Sequence, residues 1–412
     1  MYLLQSLLRQ VIKHGTLEVI DANGASYWFK GMDGPTVTVK FNDQKFSAWL
    51  ALSPSMALGK GYMSGRYEIE NGTIYDFLEI LARNIEIIGE TKFHKILNKS
   101  KSLFRRFEHY NPIQKSRQNV VHHYDLSGEL YKLFLDKDRQ YSCAYFKSLE
   151  ESLEQAQENK KAHIASKLLL KPGQRVLDIG SGWGGMGLYL AENFGAEVTG
   201  ITLSKEQLKV SNDRAKRQKL DQISQFHLRD YRLQTGIFDR IVSVGMFEHV
   251  GLKHFKDYFA KFGDCLADDG MALLHTIGRN GEPMETDAWI RKYIFPGGYI
   301  PSLSEIVPAV ENSGLMITDI EFLGLHYAET LKHWQIRFQA NRVKVKDLYN
   351  EKFCRMWEYY LAASEVAFRH LDLTVFQIQM AKKREIVPIT RDYLLLNGEN
   401  TKKTGINDNR AA

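Results

Sequence analysis

Residues 176–185 read VLDIGSGWGG: a short apolar strand with one aspartate, a glycine-rich turn, and the start of a helix. The strand is Val176-Leu177-Asp178-Ile179, and Gly180, Gly182 and Gly184 punctuate the turn. Glycines without a Cβ let a ligand approach the backbone, and a helix N-terminus offers free amides. The spacing is G-x-G-x-G rather than the G-x-G-x-x-G of dinucleotide binders, and no G-K-[ST] follows for a phosphate. This combination points to S-adenosylmethionine rather than NAD or ATP.

Around this motif the chain alternates strands and helices. VLDIG (176–180), EVTGIT (197–202), QFHLR (225–229), FDRIVSVG (238–245) and MALLHTIG (271–278) read as strands with helical stretches between most of them. Such alternation predicts a doubly wound, mostly parallel sheet whose ligand sits beyond the C-terminal strand ends. MITDIEF (316–322) and WQIRFQ (334–339) read as an antiparallel edge pair, and 346–383 reads as helical and aromatic. Upstream, TLEVID, SYWFK, TVTVKFN and KFSAWLA within 15–52 read as a small antiparallel sheet, followed by a helix over Thr73–Ile88. The expected organisation is therefore a small α+β accessory domain over 1–90, a basic linker over 91–120, a catalytic domain over 121–395, and a polar, disordered tail over 396–412.

The 412 residues are 44% hydrophobic and 25% charged, ordinary values for globular domains. Three cysteines without C-x-x-C spacing argue against structural zinc and a disulfide framework, and fit a reducing cytoplasm. We expect no metal. No apolar run is long enough for a transmembrane helix. The N-terminal leucines (Leu3, Leu4, Leu7, Leu8) have helical spacing and predict an amphipathic helix packed on its own domain. The net charge of +6 is unevenly spread. Lys92, Lys95, Lys99, Lys101, Arg105, Arg106, Lys115 and Arg117 stand against Glu108 alone, interleaved with Phe93, Leu97, Phe104 and Phe107. The segment is either a solvated charged helix or a docking surface for anionic lipid, worth about 1 kcal/mol per basic residue near such a surface.

The chemistry-bearing residues fall at strand ends. After the second strand come Thr202, Leu203 and Ser204, then Gln207, where many adenosine-binding sheets place an acid for the ribose. After the third come Asp230, either an acceptor for an adenine amino group or a solvated loop carboxylate, and Tyr231, a stacking surface. SVGMFEHVG (243–251) sets Glu248 and His249 side by side at the fourth strand end, as catalytic candidates or as a structural pair. His275 lies in an apolar run after the fifth. YSCAYF (141–146) looks like a lid in which Cys143 is either a nucleophile or a small buried residue.

YSCAYF, VLDIGSGWGG, GITLS, SVGMFEHVG, LLHTIG, KYIFPGGYIPS (292–302) and GLHYAETLKHW (324–334) resemble the successive motifs of bacterial cyclopropane-fatty-acyl-phospholipid synthases, collinear from about 120 to 380. The N-terminal 90 residues resemble the accessory domain of the full-length bacterial enzymes. Mycolic-acid synthases lack that domain, which favours a phospholipid substrate. The resemblance implies a seven-stranded Rossmann-like methyltransferase domain. It assigns Tyr141, Ser142, Gly180, Gly182, Thr202, Leu203, Gln207 and Tyr231 to S-adenosylmethionine, beside Asp178 and Asp230 from the strand-end reading. It further implies a bicarbonate ion as base, with Cys143, Glu248, His275, the Ile277 backbone and Tyr327 as its ligands. Cys143 is then a hydrogen-bonding wall rather than a nucleophile. Ser364 stands where some members carry Cys, which puts any catalytic thiol there in doubt. A homodimer, a cytoplasmic location and peripheral attachment to the membrane through 92–117 are implied as well.

The expected reaction delivers a methyl group to the cis double bond of an unsaturated phospholipid acyl chain, and a base then removes a proton so that a cyclopropane ring closes. The alternatives are a methyltransferase that leaves a methyl branch and a lipid-binding module with a vestigial cofactor fold. Nucleic-acid methylation lacks a [DN]-P-P-[YF] tetrad and a Pro-Cys nucleophile, so no nucleic-acid partner is expected.

Overall fold

The computed structural model describes residues 1–88 and 127–394. The linker expected over 91–120, with its basic segment 92–117, and the tail expected over 396–412 lie outside the described residues.

The N-terminal part runs α1 (Tyr2–Val11), β1 (His14–Ile20), β2 (Ser26–Lys30), β3 (Met32–Phe41), α2 (Phe46–Leu52), α3 (Pro54–Met63), β4 (Tyr67–Asn71) and α4 (Ile74–Ile88). Leu4 and Leu8 of α1 are buried in the core, while Tyr2 and Leu3 are exposed. The sheet order is β2-β1-β3-β4. Two expectations are corrected here. The sheet is mixed, because β2 folds back on one edge of β1 and leaves the other edge to β3, which then runs parallel to β1. KFSAWLA is not a strand. The Asp43 side chain accepts the Lys45 amide at 2.9 Å, which ends the extended run and starts α2 with Phe46 buried.

The second part holds a seven-stranded sheet of order β10-β11-β9-β8-β5-β6-β7. Its strands are β5 (Arg175–Ile179), β6 (Glu197–Thr202), β7 (Ser224–Leu228), β8 (Phe238–Val244), β9 (Leu266–Arg279), β10 (Met316–Phe322) and β11 (Leu373–Ala381). The stretch from β9 to β7 is parallel, and β11 and β10 are antiparallel to their neighbours. Both faces are buried. Leu177, Ile179, Ile241 and Leu274 pack on one side, and Val176, Val242 and Leu273 on the other. That is why these strands read as apolar runs rather than alternating ones.

WQIRFQ does not form an edge strand. It lies in the helix Gly324–Ala340, where Tyr327, Leu331, Trp334 and Phe338 are buried at helical spacing. Ile336, which would share a strand face with Trp334, is 59% exposed. The antiparallel partner of β10 is β11, inside the region expected to be helical. Thr374, Val375 and Ile378 favour a strand there, after the long helix Glu351–His370 ends.

The order of the sheet places the site. The chain runs from β5 outward through β6 to β7, then returns to β8 on the other side of β5. The C-terminal end of β5 is thus a switch point, where doubly wound sheets open a crevice.

Candidate active site

The glycine loop leaves β5 with Gly180 at φ +83° and Gly184 at +84°, a region that L side chains rarely adopt. A Cβ at Gly180 would lie 2.8 Å from the Met246 Cβ, so the loop also needs the space. The Gly180 and Ser181 amides both donate to the Ile201 carbonyl at 3.0 Å, which ties the loop to the end of β6. The helix Gly185–Phe194 then starts directly beyond the turn.

A cavity opens above these strand ends. Asp178, Gly180, Gly182, Thr202, Leu203, Gln207, Asp230 and Tyr231 line it, and Tyr141 and Ser142 close it from the other side. Ser204 caps the helix Lys205–Arg217 by accepting the Gln207 amide, and the Gln207 side chain lies 2.9 Å from the Thr202 hydroxyl. Asp178 is buried, and burial pushes its carboxyl up to about 7. Its Oδ2 has no hydrogen-bond partner among the described residues. Asp230 is engaged: Arg232 grips both of its oxygens, at 2.9 and 2.8 Å, and stands over the Tyr231 ring.

Sequence reasoning did not name several lining residues. Trp183 stands inside the quoted glycine loop, and Arg139, with φ +58°, holds its guanidinium over that ring. Gln140 adjoins YSCAYF, and Met246 belongs to the fourth strand-end motif. Their places beside quoted motifs were the available signal.

Glu248 and His249, adjacent in sequence, diverge. The short turn Phe247–His249 presents His249 to the cavity, and burial lowers this imidazole to about 4. Glu248 turns instead toward β9, where its Oε1 accepts the Ile277 amide at 2.7 Å. Glu248 Oε2 is buried without a hydrogen-bond partner among the described residues, and burial raises this carboxyl to about 7. His275 lies two residues before Ile277 and pairs through Nδ1 with Gln377 Nε2 at 3.1 Å. With Gln377 as donor, the imidazole proton sits on Nε2.

The remaining candidates lie off the cavity lining: His275 and Ile277 are on β9, and Cys143 and Tyr327 join the β9–β11 ladder through Leu323. Val375 lies opposite Ile277, and its carbonyl accepts the Leu323 amide at 2.9 Å. The Leu323 carbonyl in turn accepts the Tyr327 amide at 3.3 Å and the Cys143 thiol at 3.7 Å. Burial pushes the Cys143 thiol far up, so it is a neutral donor and not a thiolate. YSCAYF is not a surface flap. Ser142, Cys143 and Ala144 are buried, and the Ala144 amide donates to Thr330 Oγ1 at 3.0 Å. An aromatic wall runs from Tyr141, stacked on Trp334 at 5.1 Å, through Tyr327 to Phe368.

Behind the cavity lies Lys160, fully buried on the helix Leu153–Lys167. Its ammonium donates to Gln140 Oε1 at 2.6 Å and to Ser142 Oγ at 2.8 Å. Burial lowers it to about 8.

A family profile described as mycolic acid cyclopropane synthetase matches residues 112–378. The cyclopropane-fatty-acyl-phospholipid synthase of Escherichia coli K12 is 40% identical over 330 residues, 80% of this chain and 83% of that enzyme. A probable fatty acid methyltransferase of Pseudomonas putida is 35% identical over 84% of this chain and 88% of its own length. Among solved structures, the mycolic acid cyclopropane synthase CmaA1 complexed with SAH and CTAB is 31% identical, with a TM-score of 0.62, over 66% of this chain and 99% of that one.

Proposed function

The chain belongs to the mycolic acid cyclopropane synthetase family, and on that premise we propose that it adds a methylene group to the cis double bond of an unsaturated phospholipid acyl chain. It is an S-adenosylmethionine-dependent methyltransferase. The cavity at the end of β5 is the proposed place of the methyl donor, held by the ten residues assigned to it from sequence. Asp178 and the glycine-loop amides offer opposite polarity to a zwitterionic amino-acid end.

The observation that carries the reading is Glu248: a buried carboxylate fixed to the Ile277 amide, with its second oxygen unpartnered. Cys143, Glu248, His275 and Tyr327 supply a thiol, a carboxyl near neutrality, an imidazole and a phenol from segments tied to β9 and β11, the Ile277 amide holding Glu248 and the Leu323 carbonyl holding Cys143 and Tyr327. That donor and acceptor set fits a small oxyanion such as bicarbonate. When bound, bicarbonate supplies a base beside the newly delivered methyl group. The chain's own residues orient it, exclude water and keep Glu248 able to hold a proton near pH 7. An isolated double bond is a weak nucleophile, so orientation in a dry site is the main contribution. The aromatic cluster of Tyr141, Trp334, Tyr327 and Phe368 would stabilise positive charge on an acyl chain seated beside it.

The 40% identity to a phospholipid-acting enzyme across most of both chains supports a phospholipid over a mycolate. The Pseudomonas putida relative favours a second reading, a methyl-branched product. S-adenosylmethionine bearing a fully deuterated methyl group separates the two. Ring closure loses one deuterium to the base, whereas a saturated methyl branch keeps all three when a hydride donor such as a reduced nicotinamide, added to the assay, quenches the cation. Attachment to anionic membrane through 92–117 and assembly as a homodimer remain part of the proposal. Among the described residues no helix is long and apolar enough to cross a membrane.

A further inference from the structure

Lys160 has donors and no acceptor, so it sets the direction of every hydrogen bond it makes. Gln140 therefore turns its carbonyl to Lys160, and its Nε2 donates to Asp138 Oδ2 at 2.9 Å. Ser142 Oγ accepts from Lys160, so its own proton must point elsewhere. Among the described residues Lys160 is the only hydrogen-bond partner of that oxygen. Ser142 and Gln140 both line the cavity, while Lys160 stands behind them, 0% exposed. Among the described residues no carboxylate bonds the ammonium; Asp136 and Asp138 act on it only from a distance. Burying an ammonium on two neutral oxygens is costly, and it leaves positive potential directed through Ser142 into the cavity.

We propose that Lys160 is a positioning residue that makes the Ser142 hydroxyl a hydrogen-bond donor to the carboxylate of the methyl donor's amino-acid end. The inference rests on the reading of this cavity as the S-adenosylmethionine site. The carboxylate is the one anionic group of that molecule, and a hydroxyl already accepting from a cation is a strengthened donor. Asp178, whose Oδ2 is unpartnered, suits the adjoining ammonium. Lys160 thus acts on the ligand through Ser142 without touching it.

The test measures binding of S-adenosylhomocysteine and of its decarboxylated analogue by calorimetry, with full-length protein. Wild type that binds neither probe contradicts the site assignment itself. Given wild-type binding, Lys160→Met should weaken S-adenosylhomocysteine about tenfold or more and the decarboxylated analogue little. In a Ser142→Ala background the same substitution should add almost nothing. Equal losses for both probes, or an undiminished loss in the Ser142→Ala background, would mean that Lys160 only holds the fold, and would overturn the proposal. If Lys160→Met shows no cooperative thermal transition, Ser142→Ala alone decides. It should discriminate between the two probes, and an equal effect on both again overturns the proposal.

Discussion

The Ile277 amide donates to Glu248 Oε1 at 2.7 Å, joining the turn after β8 to the end of β9. One carboxylate oxygen is thereby fixed, and the other is buried and unpartnered. Glu248 is oriented by the sheet edge itself, through a backbone group that no side-chain substitution removes.

Glu248→Gln keeps the shape and the Ile277 bond but removes the basic oxygen pair. Turnover should fall by at least about a hundredfold, with S-adenosylhomocysteine affinity within about threefold of wild type. Steady-state rates together with calorimetry check this, and near-normal turnover would remove Glu248 from the base site.

Asp178 gives a pH signature. Burial raises its folded pKa from 3.8 to about 7. A raised pKa means that its contribution to stability is complete below about pH 4 and is lost as pH rises through 7. Asp178→Asn should therefore gain stability relative to wild type by about 3 kcal/mol between pH 5 and pH 8. Urea unfolding of both proteins at the two pH values measures this, and a difference independent of pH contradicts the buried-acid assignment.

Gly59 in α3 faces the Trp289 ring so closely that a Cβ would lie 2.5 Å from its Nε1. Trp289 is fully buried, and its Nε1 lies 3.2 Å from the Met63 sulfur. Gly59→Ala should overpack this junction and cost about 1–3 kcal/mol, despite the better helix propensity of alanine. Denaturant midpoints give the answer.

Arg105 and Arg106 test the basic segment. Replacing both by Glu should weaken binding to anionic phospholipid vesicles about tenfold or more at low salt, and added salt should weaken the wild type in the same sense. Vesicle sedimentation that is unchanged by either would show that the segment is not a docking surface.

Much of the site was legible because its signals are local. The glycine loop, the strand-end residues Thr202 and Tyr231, and YSCAYF each announce a turn or a small-residue need over a few positions, and the switch point collects them. Periods failed where two fit equally well. WQIRFQ alternates like a strand, but its helix buries Trp334 with Tyr327 and Leu331 instead. β11 was hidden because buried Gln377 and Gln379 break its apolar run, the first matched by His275 on the neighbouring strand and the second by the Lys167 carbonyl. Lys160 was invisible for a related reason. The helix 153–167 is polar almost all round, so its lysines read as solvated, although Lys160, Lys161 and Lys167 are all buried. Only tertiary packing distinguishes a lysine that organises a cavity from one that faces water.

The most direct test is incubation with S-adenosylmethionine and vesicles of unsaturated phospholipid, followed by mass analysis of the acyl chains. The account predicts a gain of one CH₂ per double bond with no further hydrogens, and loss of that double bond. Unchanged acyl chains, or a branched product of the same mass that still holds one double bond, would contradict it.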